Sequence, residues 1–350
     1  MKLLLVTDAW KPQVNGVVRS YLNTIPELEK MGMQVEVIHP ELFKVRFGLP
    51  SYNEIKVVIT RKKTLKNMMD QINPDHIHIA TEGPLGFLAR KICLSEKIIF
   101  TTSFHTRFPE YIQQRIKIPA SFFYFFIKHF HNKAKKVLVP TPSMQAELIN
   151  MNFKNTVVWS RGVDHQKFGN YQKLDLGPGP IFSYIGRVAT EKNIQAFLDL
   201  DLEGTKVVVG DGPQLNKLKK KYTDIKFVGY QFGQNLVNYY ASSDVMVFPS
   251  KTDTFGNVVT EANATGTPVA AYDVTGPKDI IVNGVNGFIG DNLKDNVLNC
   301  LTIDRKKCQE YTKKFNWYEC SKVFYDNIVA LTLHILYLIL KIGLSIIKTN

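Results

Sequence analysis

The chain opens on an unbroken apolar run, Lys2-Leu-Leu-Leu-Val-Thr7, the pattern of a strand buried on both faces of a parallel sheet. After a loop carrying Gly16, the residues Val17, Val18, Tyr21, Leu22, Ile25 and Leu28 recur at helical spacing as far as Gly32, a glycine suited to stop a helix. Gln34–Ile38 reads as the next strand, which completes one β-α-β unit. Pro26 falls inside the helical stretch and predicts a kink or a shifted start. Further strands are expected at Lys56–Thr60, His76–Ala80, Ile98–Ser103 and Lys136–Pro140, with helix-length segments between them. The second half repeats the habit at Ile181–Ile185, Lys206–Val209, Lys226–Val228, Val245–Phe248 and Thr267–Ala271. The expected fold is therefore α/β, with two Rossmann-like, doubly wound parallel sheets.

Between the halves, residues 162–180 are rich in polar side chains and close on Leu176-Gly-Pro-Gly-Pro180, the composition of an interdomain connection. The expected division is an N-terminal domain over 1–160 and a C-terminal domain over 161–308. A cleft between two such domains is where a ligand is expected. With 350 residues and 45% hydrophobic content, the chain can fill two cores. The four cysteines, Cys93, Cys300, Cys308 and Cys320, form no C-x-x-C pair, which points to reduced thiols in a cytoplasmic setting and away from zinc. Met1–Thr7 leads straight into a motif and has no cleavage site, so no signal peptide is expected.

A formal charge of +13 draws anionic partners, whether phosphate groups, anionic lipids or nucleic acid. The last stretch, 328–350, is an apolar tail, expected as a C-terminal helix that attaches to a membrane. Lys341 would cost about 3 kcal/mol inside a bilayer, so the tail reads either as a span or as a helix lying in the interface. Arg115–Lys136 combines six basic residues, no acid and the run Phe122-Phe-Tyr-Phe-Phe126. It reads as a second membrane-facing segment or as a buried helix with a solvated basic end.

In open α/β sheets ligands lie beyond the carboxyl ends of the strands, so the loops after the expected strands hold the candidate chemistry. Gly16, ending the first such loop, lets backbone amides approach an anion at a helix N-terminus, or else is an ordinary turn glycine. Ile185-Gly-Arg187-Val-Ala-Thr-Glu191-Lys192 places two cations five residues apart, able to neutralise a diphosphate, or else is a solvated helix start. Val209-Gly-Asp-Gly-Pro213 is a Gly-rich turn that matches no dinucleotide fingerprint. Thr102-Ser-Phe-His105 puts a histidine at a strand end, facing substrate or serving structure. His76 and His78 share a strand face, but no third ligand stands at metal-binding spacing, and no metal is expected.

The most informative segment is Lys251-Thr-Asp253-Thr-Phe255-Gly256-Asn257-Val-Val-Thr-Glu261. Its two carboxylates lie eight positions apart, Asp253 in a loop and Glu261 about a turn and a half into a helix that starts near Gly256. Carboxylates accept from sugar hydroxyls, and the helix N-terminus between them suits a phosphate.

Taken together, these segments resemble the retaining glycosyltransferases of family 4, which have the GT-B fold, over Met1 to about Asn327. Asp253 and Glu261 stand where that family has its E-x7-E pair. Thr252-Asp-Thr-Phe-Gly-Asn-Val-Val resembles the branch of GDP-mannose-dependent α-mannosyltransferases and sulfoquinovosyl-diacylglycerol synthases, where Asp in the first position is ordinary. The resemblance implies that Glu261 binds ribose and Asp253 the transferred sugar, with the Phe255, Gly256 and Asn257 amides nearby. It further implies that Arg187 and Lys192 hold the diphosphate, Gly16 approaches it from the other domain, and His105 stands by the sugar. On this pattern the first domain takes the acceptor, the second takes the donor, and 309–327 is a helix crossing back to the first. Glu82-Gly-Pro-Leu-Gly86 also fits the family pattern, without an assigned role. The implied co-substrate is a nucleotide-diphosphate sugar, GDP-mannose ahead of a UDP-sugar, with no cofactor or metal. The implied acceptor is a lipid or glycan on the cytoplasmic face of an anionic membrane, with no nucleic acid. A sugar-nucleotide epimerase on the same architecture is the alternative, and a nucleic-acid-binding protein a more distant one.

Overall fold

The computed structural model describes residues 1–49, 52–116 and 118–328. The expected tail lies outside the described residues apart from Ile328. β1 (Lys2–Val6) pairs in parallel with β2 (Gln34–Ile38), Leu4 lying beside Glu36. β3 (Arg46–Leu49) and β4 (Tyr52–Val58) then form an antiparallel ribbon of their own. This corrects the expectation that Lys56–Thr60 joins the main sheet: those residues pair back onto the segment just before them, across a connection too short for a parallel crossover. The first sheet resumes with β5 (His76–Ile79), β6 (Phe100–Ser103), β7 (Val137–Val139) and β8 (Thr156–Val158), in the order β2-β1-β5-β6-β7-β8.

The second sheet contains β9 (Ile181–Ile185), β10 (Thr205–Val209), β11 (Lys226–Gly229), β12 (Val245–Phe248), β13 (Val269–Ala271) and β14 (Gly287–Ile289). Its order, β11-β10-β9-β12-β13-β14, is the doubly wound 3-2-1-4-5-6 arrangement. β8 and β14 are short edge strands of three residues each, which the sequence pattern did not predict.

Each sheet is buried on both faces, which is why β1 reads as a continuous apolar run. Leu4 and Val6 enter one core with Ile77, Ile79 and Phe104, while Leu3 and Leu5 enter another with Tyr21, Leu28 and Trp159. The Gly16–Lys30 helix is capped by Asn15, whose side chain accepts from the Val18 amide. Pro26 lies inside this helix without moving either end, so the expected shift of its start does not occur.

Residues 162–180, expected as a connection, fold onto the second domain, where Val163, Phe168 and Leu176 join its core. The boundary expected at 308 falls inside a helix, Arg305–Thr312, that packs on the second domain against Asn257–Ala264. Residues 317–328 form another helix, and it returns to the first domain. There Cys320, Phe324 and Ile328 pack with Leu3, Leu5, Tyr21 and Trp159. Phe324 stands 5.0 Å from the Trp159 ring and 4.8 Å from His78, and is 1% exposed. Truncating it to alanine is expected to destabilise the first domain by about 3–5 kcal/mol, read as a lower urea midpoint of unfolding followed by tryptophan fluorescence.

Candidate active site

The switch points of the two sheets lie between β1 and β5 and between β9 and β12, and the loops leaving these strands meet in the cleft. Several bonds join the domains there. Thr254 donates to the His105 carbonyl at 2.6 Å, the Ser143 amide donates to Asp279 at 3.0 Å, and Thr275 donates to Glu147. The first of these bonds brings His105 of the first domain beside the Asp253–Phe255 loop of the second.

Lys192 ends a short 3-10 turn after β9 and donates to Asp253, in the loop after β12, at 2.5 Å. Burial opposes the ammonium charge, yet Asp253 together with Tyr111 and Tyr184 outweighs it and holds the Lys192 pKa above its ordinary value. The second Asp253 oxygen is buried without a partner among the described residues. Arg187 lies 4.0 Å from Glu191 in the same loop, and the Tyr184 hydroxyl donates to the Arg187 carbonyl at 2.6 Å. Tyr111, from the Phe108–Ile116 helix of the first domain, reaches this cluster, and burial raises its pKa. Cations, a carboxylate and a phenol thus share one partly enclosed volume.

A second cluster surrounds Glu261, which is 5% exposed on the Asn257–Ala264 helix. One of its oxygens accepts from the Tyr240 hydroxyl at 2.9 Å, and the other accepts from Arg19 of the first domain. The helix carries no side-chain cap, and of its first-turn amides Val259 bonds back to the Gly256 carbonyl at 2.9 Å. Gly256 caps it at φ +94°, where a Cβ would meet the Phe248 ring at 3.1 Å, so no other residue fits the turn without strain. Phe255 turns its side chain into the second core, leaving its backbone as what it can offer a ligand. Gly16, the first residue of its own helix, lies close to Asn257: a Cβ there would be 3.6 Å from the Asn257 side-chain nitrogen Nδ2. The starts of two helices, one from each domain, therefore meet across the cleft, and each carries partial positive charge.

His105 follows β6 and has both ring nitrogens engaged. Arg161 donates to Nδ1 at 3.0 Å, and since guanidinium cannot accept, Nε2 carries the proton of the neutral ring toward the Tyr21 hydroxyl at 3.1 Å. Tyr21 in turn contacts His78 at 3.0 Å and Ser103 at 3.2 Å, and His78 and His76 both meet the Thr101 hydroxyl. Burial, then Arg161, then the neighbouring histidines hold the His105 pKa well below its usual value. His76 and His78 are structural parts of this chain. Among the described residues no group of three or more histidines, cysteines and acids is placed to hold a metal.

Two motifs find structural roles. Gly210 and Gly212 let β10 and its turn lie against the Arg187 loop, since a Cβ on them would fall 1.8 Å and 2.4 Å from the carbonyls of Gly186 and Val188. Asp8 explains Glu82-Gly-Pro-Leu-Gly86: its carboxylate accepts from the Leu85 and Gly86 amides at 2.9 and 3.2 Å, capping the Pro84–Ser95 helix. Sequence reasoning missed Arg19, Tyr21, Arg161 and Tyr240. Arg19 alone carried a signal, standing one helical turn after Gly16.

Two doubly wound domains facing each other across their switch points, with cations, paired acids and helix N-termini in the cleft, define the GT-B class of nucleotide-sugar transferases. The sequence matches the Glycosyltransferase Family 4 domain over residues 14–167 and the Glycosyl transferases group 1 domain over 170–316. A GDP-mannose-dependent alpha-mannosyltransferase of Corynebacterium glutamicum is 29% identical over 319 residues, covering 83% of this chain and 77% of that protein. Sulfoquinovosyl transferase SQD2 of Arabidopsis thaliana is 28% identical over 349 residues, covering 87% and 68%. The solved structure of Anabaena HepE with UDP superposes with a TM-score of 0.68 at 16% identity, covering 93% of this chain and 99% of that one. The chain belongs to the family 4 glycosyltransferases. It is an enzyme that uses a nucleotide-sugar donor, and the epimerase reading finds no support.

The buried histidines give a pH prediction. His76 is held at about 4 by burial, and His78 and His105 are also lowered from 6.5, so the unfolded chain binds more protons than the native one below that pH. Stability is expected to be full above about 6.5 and to fall as the pH drops toward 4. Thermal midpoints across that window check it, and replacing His76 by glutamine should flatten the slope.

Proposed function

We propose that the chain transfers a hexose with retention to a lipid or lipid-linked glycan at the anionic cytoplasmic face of a membrane. The donor is GDP-mannose, with a UDP-sugar as the second reading. The observation that carries this is the convergence of two facing helix N-termini with the Lys192–Asp253 pair and the buried Glu261. The names of the Corynebacterium and Arabidopsis relatives favour a mannosyl or sulfoquinovosyl donor. In this reading 161–308 is the donor domain, 1–160 the acceptor domain and 309–327 the connection returning to it.

Glu261 then accepts from ribose hydroxyls and Asp253 from the sugar. Arg187, Lys192 and the amides of Phe255, Gly256 and Asn257 hold the diphosphate, with Gly16 opposite. As the bond from the anomeric carbon to the diphosphate oxygen breaks, negative charge grows on that oxygen. A donor hydroxyl that engages Asp253 frees Lys192 to neutralise this charge, so the stabilisation is greatest in the transition state. The acceptor hydroxyl attacks from the same face and gives its proton to the departing phosphate oxygen. His105 stands beside the sugar, its ring held in place by Arg161 and Tyr21. No cofactor or metal is assigned a role.

The acceptor class rests on the first domain. The Ala120–His131 helix buries Tyr124 and Phe130 but exposes Phe122, Phe125 and Phe126, at 56%, 64% and 49%, on one side. Lys128, Lys133 and Lys135 lie in or just beyond it, a composition suited to an anionic interface. Beside β4, an apolar groove of about 440 Å³ is lined by Val58, Phe87, Leu88 and Leu94, with Lys91. Among the described residues no helix is long and apolar enough to cross a membrane.

Lys192→Ala and Glu261→Ala are each expected to lower turnover by about 10²–10³, measured with GDP-, UDP- and ADP-sugars against membrane lipid extract. Rates near wild type in either variant overturn the site assignment. Phe125→Ser with Phe126→Ser is expected to reduce co-sedimentation with phosphatidylserine-containing vesicles while leaving GDP binding unchanged. Undiminished co-sedimentation moves the membrane contact elsewhere.

A further inference from the structure

Glu261 is a buried carboxylate held from two domains. Its Oε2 accepts from Tyr240, whose ring is 0% exposed and whose hydroxyl pKa burial pushes up, so that partner is a fixed part of the second domain. Its Oε1 accepts from Arg19, which lies 242 positions away on the first domain's leading helix. The two sides of the pair differ in access: the Glu261 side chain is 7% exposed and the Arg19 side chain 37%. A ligand hydroxyl can approach Oε1 only from the side where the guanidinium stands.

This asymmetry has an energetic meaning. A carboxylate buried to this degree is costly unless paired, and removing one partner of such a pair leaves an uncompensated charge. In the donor-free protein Arg19 provides that compensation, and the attraction of Glu261 correspondingly raises the Arg19 pKa. Ribose carries two adjacent hydroxyls able to donate to a carboxylate, and the Oε1 that Arg19 occupies is an oxygen such a hydroxyl would take. Arg19 is also on the same helix face as Gly16, one turn on, so the contact ties the two facing helix N-termini together.

We infer that Arg19 is a donor-site residue that stands in for the ribose, holding the Glu261 oxygen in the donor-free enzyme and yielding it when a nucleotide binds. The inference rests on the reading of Glu261 as the ribose acceptor. Each nucleotide that binds exchanges a protein–protein bond for a protein–ribose bond, so affinity for the nucleotide is lowered by the fraction of molecules in which the pair is closed. The exchange also breaks a link between the domains, which couples donor entry to their relative freedom.

The test is isothermal titration of GDP, with UDP in parallel, into the full chain carrying Arg19→Met, Arg19→Lys or Glu261→Gln, with thermal melts confirming that each variant folds. Arg19→Met is expected to tighten GDP binding by about three- to tenfold. Arg19→Lys, which keeps a cation against Glu261, is expected to stay within about twofold of wild type. Unchanged or weaker GDP binding in Arg19→Met overturns the inference, as does a lysine variant that behaves like methionine. Glu261→Gln separates this from the reading beneath it. If Glu261→Gln leaves GDP affinity intact, the ribose assignment itself fails. If it weakens GDP while Arg19→Met does not tighten it, the ribose assignment stands and the stand-in role of Arg19 falls.

Discussion

Two helix N-termini of like partial charge, at Gly16 and Asn257, are held face to face across the cleft, and this electrostatic constraint organises the site around it. Amides at a helix start are unsatisfied by the helix itself, and two such ends approaching one another gain nothing without negative charge close by. Among the described residues that charge comes from Glu261, one turn into the second helix, and from Asp253, just before it. The devices that permit this arrangement are backbone devices: Asn15 caps one helix, and Gly256 takes a conformation at the other that side chains resist.

Both buried carboxylates are met by cations, and this is better understood as chemistry than as stability. Replacing a buried ion pair by apolar residues is often neutral or stabilising, so a fold has little need of Lys192–Asp253 or Arg19–Glu261. A transferase does have a need for them. Each pair orients a carboxylate in the cleft. One pair lies within the second domain and the other bridges the domains.

The first domain is built differently. Its polar residues near the cleft form a closed chain, Arg161 to His105 to Tyr21 to His78, in which the available ring nitrogens are engaged. Such a chain fixes geometry, since a side chain with its hydrogen bonds satisfied inside the protein has little reason to rotate. The outward face is the contrary case. Three phenylalanines of one helix stand in solvent, while the same helix buries Tyr124 and Phe130. Composition showed the aromatic run; the fold chose which side of the helix to cover.

The sequence by itself determined the class of fold and the centre of the site. A strand buried on both faces must be apolar throughout, so runs such as Leu3–Val6 and Val245–Phe248 announce a parallel sheet. Asp253 and Glu261 were legible because a short helix start fixes their separation locally, and Arg187 and Lys192 because they follow a strand end. What tertiary structure alone decided was partnership over long separations. Arg19 beside Glu261, Arg161 against His105 and Tyr240 behind Glu261 arise from the docking of two domains and the packing of distant helices, for which no periodicity in the chain carries a signal. The β3–β4 ribbon and the short edge strands β8 and β14 were missed for a related reason: three to seven residues with ordinary composition acquire strand structure from the neighbour they pair with, not from their own pattern.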